Sequence, residues 1–421
     1  MRRKLATFII STCLIVSLVP TNIFAQSKSK EKVITISSDR ELREFANSVN
    51  DGENYEGKVI KLTKDIEFDI NMDKNLETIG DPNFITSIGF AGTFDGAGHT
   101  ISNMNSTLGG LFYTISENGV VKNVILERSE LLDAYFSEMG CISYENYGTI
   151  ENCHNKMNIK GKSIGGIVFN NYSKVINCSN SGDFRCNRNG SGGIVAYNSG
   201  GIISNSYNIG NMKGEDIIGG IAGYNHATQS YNHKALNGII QNCYNAGQIR
   251  SIYVTPSACG AFIGMLDGGV VKNSFCADES SQYAIGNSGP EMYITIKDSF
   301  SLPSSLIKTS SFVATLNKNI GNNTKWLKWE LTSSSEYPTF VESYEVTFKN
   351  SKLGYTKTNH SYAYNGQTVT LTTVPNKKYK TSTVIVKTAT GKKITVKKVN
   401  GKYQFTMPNS KVVVTTIFKK K

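Results

Sequence analysis

The sequence predicts an all-β fold, a β-solenoid closed at its start by a short helix and followed by a small β-sandwich. Three observations lead there. One phrase recurs along the middle of the chain. Gly, Asn, Ser and Tyr are abundant while one convincing amphipathic helix is found, the mix of a turn-rich β protein. The basic residues gather in the last part of the chain, which marks a separate module.

In chain order, Arg2, Arg3 and Lys4 form a positive start, and Phe8 to Val19 supply an apolar run broken by Ser11, Thr12 and Ser17. Ile23-Phe24-Ala25 offers a cleavage site before Gln26, so residues 1–25 read as an export signal. The run is too short and interrupted for a membrane span, and nothing after it reaches spanning length. A secreted or extracellular protein is expected, with no transmembrane span once the signal is removed.

Ser38-x-x-Glu41 resembles a capping box, and Leu42, Phe45, Ala46 and Val49 follow at helical spacing. This helix is expected to cover the first rung and protect its edge. Val59 to Leu62 and Phe90 to Ile101 supply the first rung strands.

The repeat itself is a Gly-(Ile/Val) strand, a Tyr/Asn turn, Gly, then (Ile/Val)-(Ile/Val)-x-Asn-(Cys/Ser), one residue, Asn and Gly. It runs from Cys141 to Asn155, then through Gly166-Ile167-Val168 to Asn177-Cys178-Ser179-Asn180. Further copies pass through Asn205-Ser206-Tyr207-Asn208, Asn242-Cys243-Tyr244-Asn245 and Asn273-Ser274, after a degenerate opening copy at Gly110 to Asn123. Each unit holds strands too short to bury a face alone, so stacking like on like about 4.8 Å apart is the stable solution. Cys153, Cys178, Ser206, Cys243 and Ser274 then form one inward column of small side chains, and the Asn beside it a second column at a turn. Glycine is expected to supply the positive φ of these turns. Eight cysteines include Cys13 in the signal, and an odd seven remain. Buried free thiols are the preferred reading, since stacked in-register cysteines rarely meet disulfide geometry.

Ser311 to Asn317 reads as a short closing helix, and Trp326 to Phe340 as an aromatic strand segment. The solenoid with its caps is assigned to residues 26–342 and the terminal module to 343–421, where alternating runs indicate about six strands. From Val341 to Lys421 there are 16 Lys against Glu342 and Glu345, giving +14 of the chain's net +12. Outside the cell such a module can bind anionic wall polymers, acidic glycans or a negative membrane surface. The plainer reading is a solubilising surface. Lys377, Lys378, Lys380, Lys392, Lys393, Lys397 and Lys398 are the candidate anion-binding residues.

Gly220 to Asn225 with Ile240 to Asn245 resembles the GLUG repeat of bacterial surface proteins, also found beside the catalytic region of immunoglobulin A-cleaving metallopeptidases. Leu42-x-x-Phe45-Ala46, Leu62-Thr63-x-Asp65-Ile66 and Gly92-Thr93-Phe94-Asp95-Gly96-x-Gly98-His99 resemble the openings of right-handed parallel β-helices. The resemblance spans residues 35 to 340 and implies that the solenoid is a right-handed parallel β-helix. Gly366 to Leu371 and Tyr403 to Pro408 resemble bacterial Ig-like repeats related to the internalin B-repeat. The Lys density and the missing Gly-Trp segment depart from that pattern, so no binding preference is carried over.

The chemistry of the chain is sparse. No H-E-x-x-H occurs, the five histidines are scattered, and neither C-x-x-C nor zinc spacing is present. Gly161-Lys162-Ser163-Ile164-Gly165 matches G-x-S-x-G, but it stands between rungs rather than on a strand-to-helix elbow. Asp95 and His99 form a conceivable acid/base pair, against which stand a turn-closing Asp and a backbone-bonded His. The insertion between Asn225 and Gly238 projects as a loop, and His226, Tyr231, His233 and Lys234 are its candidate ligand-binding residues. A variable surface insertion is the plainer account. No cofactor, metal or nucleic acid is called for. The expected function is a secreted or cell-surface binding or adhesion protein, contacting a glycan or host protein and held to the anionic cell wall by its basic module. The alternative is a polysaccharide lyase or glycoside hydrolase on a β-helix, which needs a cleft holding clustered carboxylates.

Overall fold

The computed structural model describes residues 33–80, 89–108, 110–188, 190–215, 217–229, 235–253, 258–349, 351–360 and 362–421. The expected export segment, residues 1–25, lies outside them. Among the described residues no helix is long and apolar enough to cross a membrane.

The middle of the chain is a parallel β-solenoid. One turn shows the plan: Thr149–Glu151, His154–Asn155, Ile159–Gly165 and Val168–Asn171 each join a different sheet before the chain rises to Lys174–Ile176. Repetition gives ten-, nine-, eight- and seven-stranded parallel sheets, here the first, second, third and fourth in the order the chain visits them. Register is set by like residues stacking. Ile60, Phe94, Val121, Ile150, Val175, Ile203, Ile240 and Val271 pair in sequence up the first sheet, 0–3% exposed.

The helix at the start spans Asp39–Asn50 and buries Leu42, Phe45, Ala46 and Val49. Ser38 Oγ accepts from the Glu41 amide, while the Glu41 carboxylate accepts from the amide of Ser37, so the capping box closes one residue early. A strand not foreseen, Val33–Ile36, precedes the helix and pairs with Val59–Leu62.

The turn chemistry departs from expectation at the glycines. The left-handed residues at the corner after the first sheet include Asn123, Asn152, Asn177, Asn205, Asn242 and Asn273, with φ of 48–57°. Asparagine tolerates this region because its amide bonds locally. Asn205 Nδ2 donates to Asn177 Oδ1 at 2.8 Å, and Asn242 Nδ2 to Asn205 Oδ1 at 2.7 Å. Two further buried ladders run in parallel, Asn155-Asn180-Asn208-Asn245 and Asn146-Asn171-Asn198-Asn225, with amide steps of 2.7–2.8 Å. Glycine supplies positive φ at other turns, as at Gly200 and Gly268 with φ of 72° and 97°, and close approach elsewhere: a Cβ on Gly193 would lie 2.2 Å from the Gly220 carbonyl oxygen.

All seven described cysteines are free and buried. Cys178 Sγ and Cys243 Sγ each donate to the carbonyl two residues back at 3.3 Å, as Ser206 and Ser274 do at 2.8 and 2.9 Å. That shared bond explains why Cys and Ser interchange in this column.

Beyond the last turn the chain doubles back. The helix Ser310–Ile320 does not close the solenoid end. It lies on the flank, with Phe312 against Tyr244 and Phe275. A strap then climbs the corner of the first two sheets: Asn177 Nδ2 donates to the Lys325 carbonyl at 2.8 Å and Asn205 Nδ2 to that of Leu327 at 3.0 Å. Trp329 Nε1 donates to Asn205 Oδ1 at 2.8 Å, and Phe340 reaches His154 lower down. The true end stays open. Ile296 continues the inward column above Val271 yet is 50% exposed.

The terminal module is two sheets of five and four strands, running from Ser343–Lys349 to Val412–Lys420. They share a core of Val346, Ala363, Val369, Leu371, Val384, Val386, Phe405, Met407, Val412 and Val414. The strap returns this module to the lower turns, where Glu345 pairs with Lys61 and the Tyr362 hydroxyl donates to Asp95 at 3.4 Å.

Candidate ligand-binding surfaces

The insertion between Asn225 and Gly238 contains a two-strand antiparallel hairpin, Thr228–Gln229 against Ala235–Leu236. Tyr231, His233 and Lys234 lie outside the described residues. His226 ends a strand of the fourth sheet, in register between Ser199 and Asp267. Burial lowers its pKa against the opposing pull of Asp267, which favours a neutral imidazole. Asp267 stands beside His226, but among the described residues the two belong to no group of three that could hold a metal.

The seven candidate lysines are all exposed but do not form one patch. Lys377, Lys378 and Lys380 sit at one end of the strand Tyr379–Thr388, where Lys380 pairs with Lys419 and the Lys421 amide reaches the Lys378 carbonyl. Lys392 and Lys393 sit at the other end, with Lys393 opposite Lys387. Seven extended residues separate Lys380 from Lys387, roughly 24 Å. Lys397 and Lys398 begin the next strand, in the other sheet. Lys419, Lys420 and Lys421 belong to the first group through the fold alone, so sequence spacing did not reveal them. Among the described residues no lysine of the module forms a salt bridge. The acids at its start, Glu342 just before it and Glu345 within it, sit at the joint, one bonded to Tyr344 and the other to Lys61.

An aromatic strip runs up the outer side of the fourth sheet. Tyr113, Tyr144 and Phe169 stack at 4.9 and 4.8 Å, tilted by 14° and 13°. The strip steps sideways by one residue, because Asn170, not Phe169, pairs with Tyr197. Tyr197 and Tyr224 continue it at 4.8 Å and 10°. Nearly parallel rings one rung apart cover one another's faces, so the strip offers edges and phenol oxygens to a ligand rather than stacking platforms. Burial, aided by Glu138, raises Tyr144 and Tyr197 to about 12, so both remain hydrogen-bond donors at neutral pH. A second pair, Tyr147 and Tyr172, stacks at 4.7 Å on the adjoining turn and is 39% and 36% exposed. The matching rings on the second sheet, Tyr207 and Tyr244, are sealed under Trp329 and Phe340.

A cleft of about 570 Å³ lies between solenoid and module, lined by Lys61, His99, Tyr344, Glu345 and Tyr362 among others. The Asp95–His99 pairing does not form. His99 Nδ1 bonds Asp65 at 3.0 Å, while Asp95 closes its turn by accepting from the Ala97 amide at 2.9 Å. Asp95 also receives Asn123 Nδ2 at 2.8 Å and lies 3.6 Å from Lys122 Nζ. Ser163 is 2% exposed inside the strand Ile159–Gly165, with no helix following. Among the described residues no three His, Cys, Asp or Glu side chains gather where a metal could bind.

No family model and no curated protein matches the chain. Among solved structures it is similar to a candidate immunoglobulin A1 protease from Bacteroides ovatus, at 17% identity and TM-score 0.48, over 74% of this chain and 93% of that one. It is also similar to an IgA1 protease at 15% identity and TM-score 0.41, over 65% of this chain; the match spans 22% of that longer chain.

Proposed function

We propose that this chain is an exported binding protein: a β-solenoid platform whose tyrosine strip contacts a glycan or protein ligand, with a basic module that holds it to anionic cell-wall polymers. The module carries the reading. Its lysines face solvent without carboxylate partners while its acids are spent at the joint, an arrangement that costs self-repulsion and is offset when an anionic polymer binds. The strip supports the platform role by presenting aligned phenols on a rigid, repeating surface. The resemblance of residues 35 to 340 to a repeat of bacterial surface proteins agrees with the platform role.

The test is retention. Chain added to cell walls should be released by raised salt, because screening shortens the reach of exposed charges. A variant with Lys377, Lys378, Lys380, Lys392, Lys393, Lys397 and Lys398 changed to Gln should stay in the medium. Retention unchanged by salt and by this variant rules the reading out.

A further inference from the structure

Within that basic module, and resting on the reading just given, we infer a discrete subsite: a groove between Lys393 and Lys397 that holds one anionic, hydroxyl-bearing repeat unit of a polymer. The groove measures about 460 Å³. It forms where the chain crosses from one sheet to the other. Lys393–Ile394 is the outer strand of the five-stranded sheet, Lys397–Val399 that of the four-stranded sheet, and Thr395-Val396 joins them. The two cations therefore stand on opposite lips of one opening.

The lining names the ligand chemistry. Phe405, 3% exposed, and Ile394 give an apolar floor, while Thr368, Thr395, Thr406 and Gln404 supply hydroxyls and an amide. Thr368 and Thr406 face each other across the sheet, and Gln404 pairs with Lys397 in register. Apolar floor, neutral hydrogen-bonding rim and flanking cations suit a sugar or polyol unit that carries a carboxylate or phosphate. A bare ion would leave the floor and rim unused. The volume falls within the roughly 300–1,000 Å³ of small-ligand sites. Lys387 opposite Lys393 is a like-charge pair, destabilising when directly opposed, and a bound anion relieves it. The other lysine group, Lys378 and Lys380 with Lys419, carries like charge at the far end of the strand Tyr379–Thr388, which makes it the natural control.

The experiment uses the full secreted chain and three probes: polygalacturonate, poly(glycerol phosphate) and inorganic polyphosphate. Lys393→Gln/Lys397→Gln and Lys378→Gln/Lys380→Gln remove the same charge. The first should weaken binding to at least one hydroxylated polymer by about a hundredfold, losing two charged hydrogen bonds at about tenfold each, and the second by about threefold, losing only general attraction to the module's charge. Thr395→Val should weaken binding of that polymer and leave polyphosphate unchanged. Whether polygalacturonate or poly(glycerol phosphate) responds decides between carboxylate and phosphate. Equal losses in the two double variants, or polyphosphate bound as tightly and lost as strongly in the groove variant, overturn the subsite while leaving the basic-module reading intact. Failure of the unaltered chain to bind any of the three overturns both.

Discussion

At the scale of single residues, asparagine organises this molecule. Asn205 combines a φ of 48°, an amide bond to Asn177 and two bonds to the strap. Asn205→Ala strains the backbone and orphans the Trp329 indole and the Leu327 carbonyl. A loss of about 3–5 kcal/mol is expected, each buried orphan costing about 1–3 kcal/mol. Asn205→Gly should recover about 1 kcal/mol of it by removing the left-handed penalty. Urea unfolding of the three proteins reads the difference. The cysteines give a second residue-scale expectation. Burial pushes the Cys186 and Cys243 thiols up to about 12, and Cys141 and Cys153 rise for the same reason. The native protein should therefore resist a thiol reagent, and all its thiols should react in denaturant. Fast labelling of the native state contradicts the buried column.

At the scale of elements, the strap is the feature with most consequence. It packs Phe340 against the half-buried His154, and burial brings that imidazole down to about 4. Nε2 faces the Asn152 amide oxygen at 3.1 Å and so carries the proton, leaving Nδ1 to accept from Ser179 Oγ at 2.8 Å. The folded pKa lies below the ordinary value of 6.5, so the unfolded chain takes up the proton first as pH falls. Stability from this group is complete above about 6.5 and is lost as pH falls towards 4, by about 3 kcal/mol in all. Urea midpoints measured across that window should fall in the parent and fall less in His154→Phe. Equal slopes would show that the strap leaves His154 in water.

At the scale of the whole molecule, the two solenoid ends differ. Leu42, Phe45 and Val49 close the first, whereas Ile296 and Phe300 stand 50% and 60% exposed at the last. Stacked repeats hold each other by nearest-neighbour contacts, so a turn with one neighbour opens most easily. Hydrogen exchange should find the amides of Ile294–Lys297 more than about tenfold faster than those of Thr149–Glu151 and Ile202–Ser204. Uniform protection along the first sheet would mean that the last turn is held by contacts beyond its single neighbour.

The parallel stack, the inward Cys/Ser column, the helix at the start and the segregation of lysine were all legible in the sequence. Each follows from short-range pattern: a repeat of 25 to 28 residues can bury its strands only by lying on its own copies, and Leu42, Phe45, Ala46 and Val49 share one face at helical spacing. What the sequence left open was long-range. Tyr207 and Tyr224 each precede an asparagine on a repeating strand, yet Trp329 packs on the first, while the second stays half-buried in the outer strip. Likewise Lys380 joins Lys419 rather than Lys393, and His99 finds Asp65 rather than Asp95. Local pattern determines which side chains stack on their own kind. Only the folded chain decides which of those stacks another segment returns to cover, because that choice depends on contacts more than a hundred residues apart, such as Asn205 with Trp329.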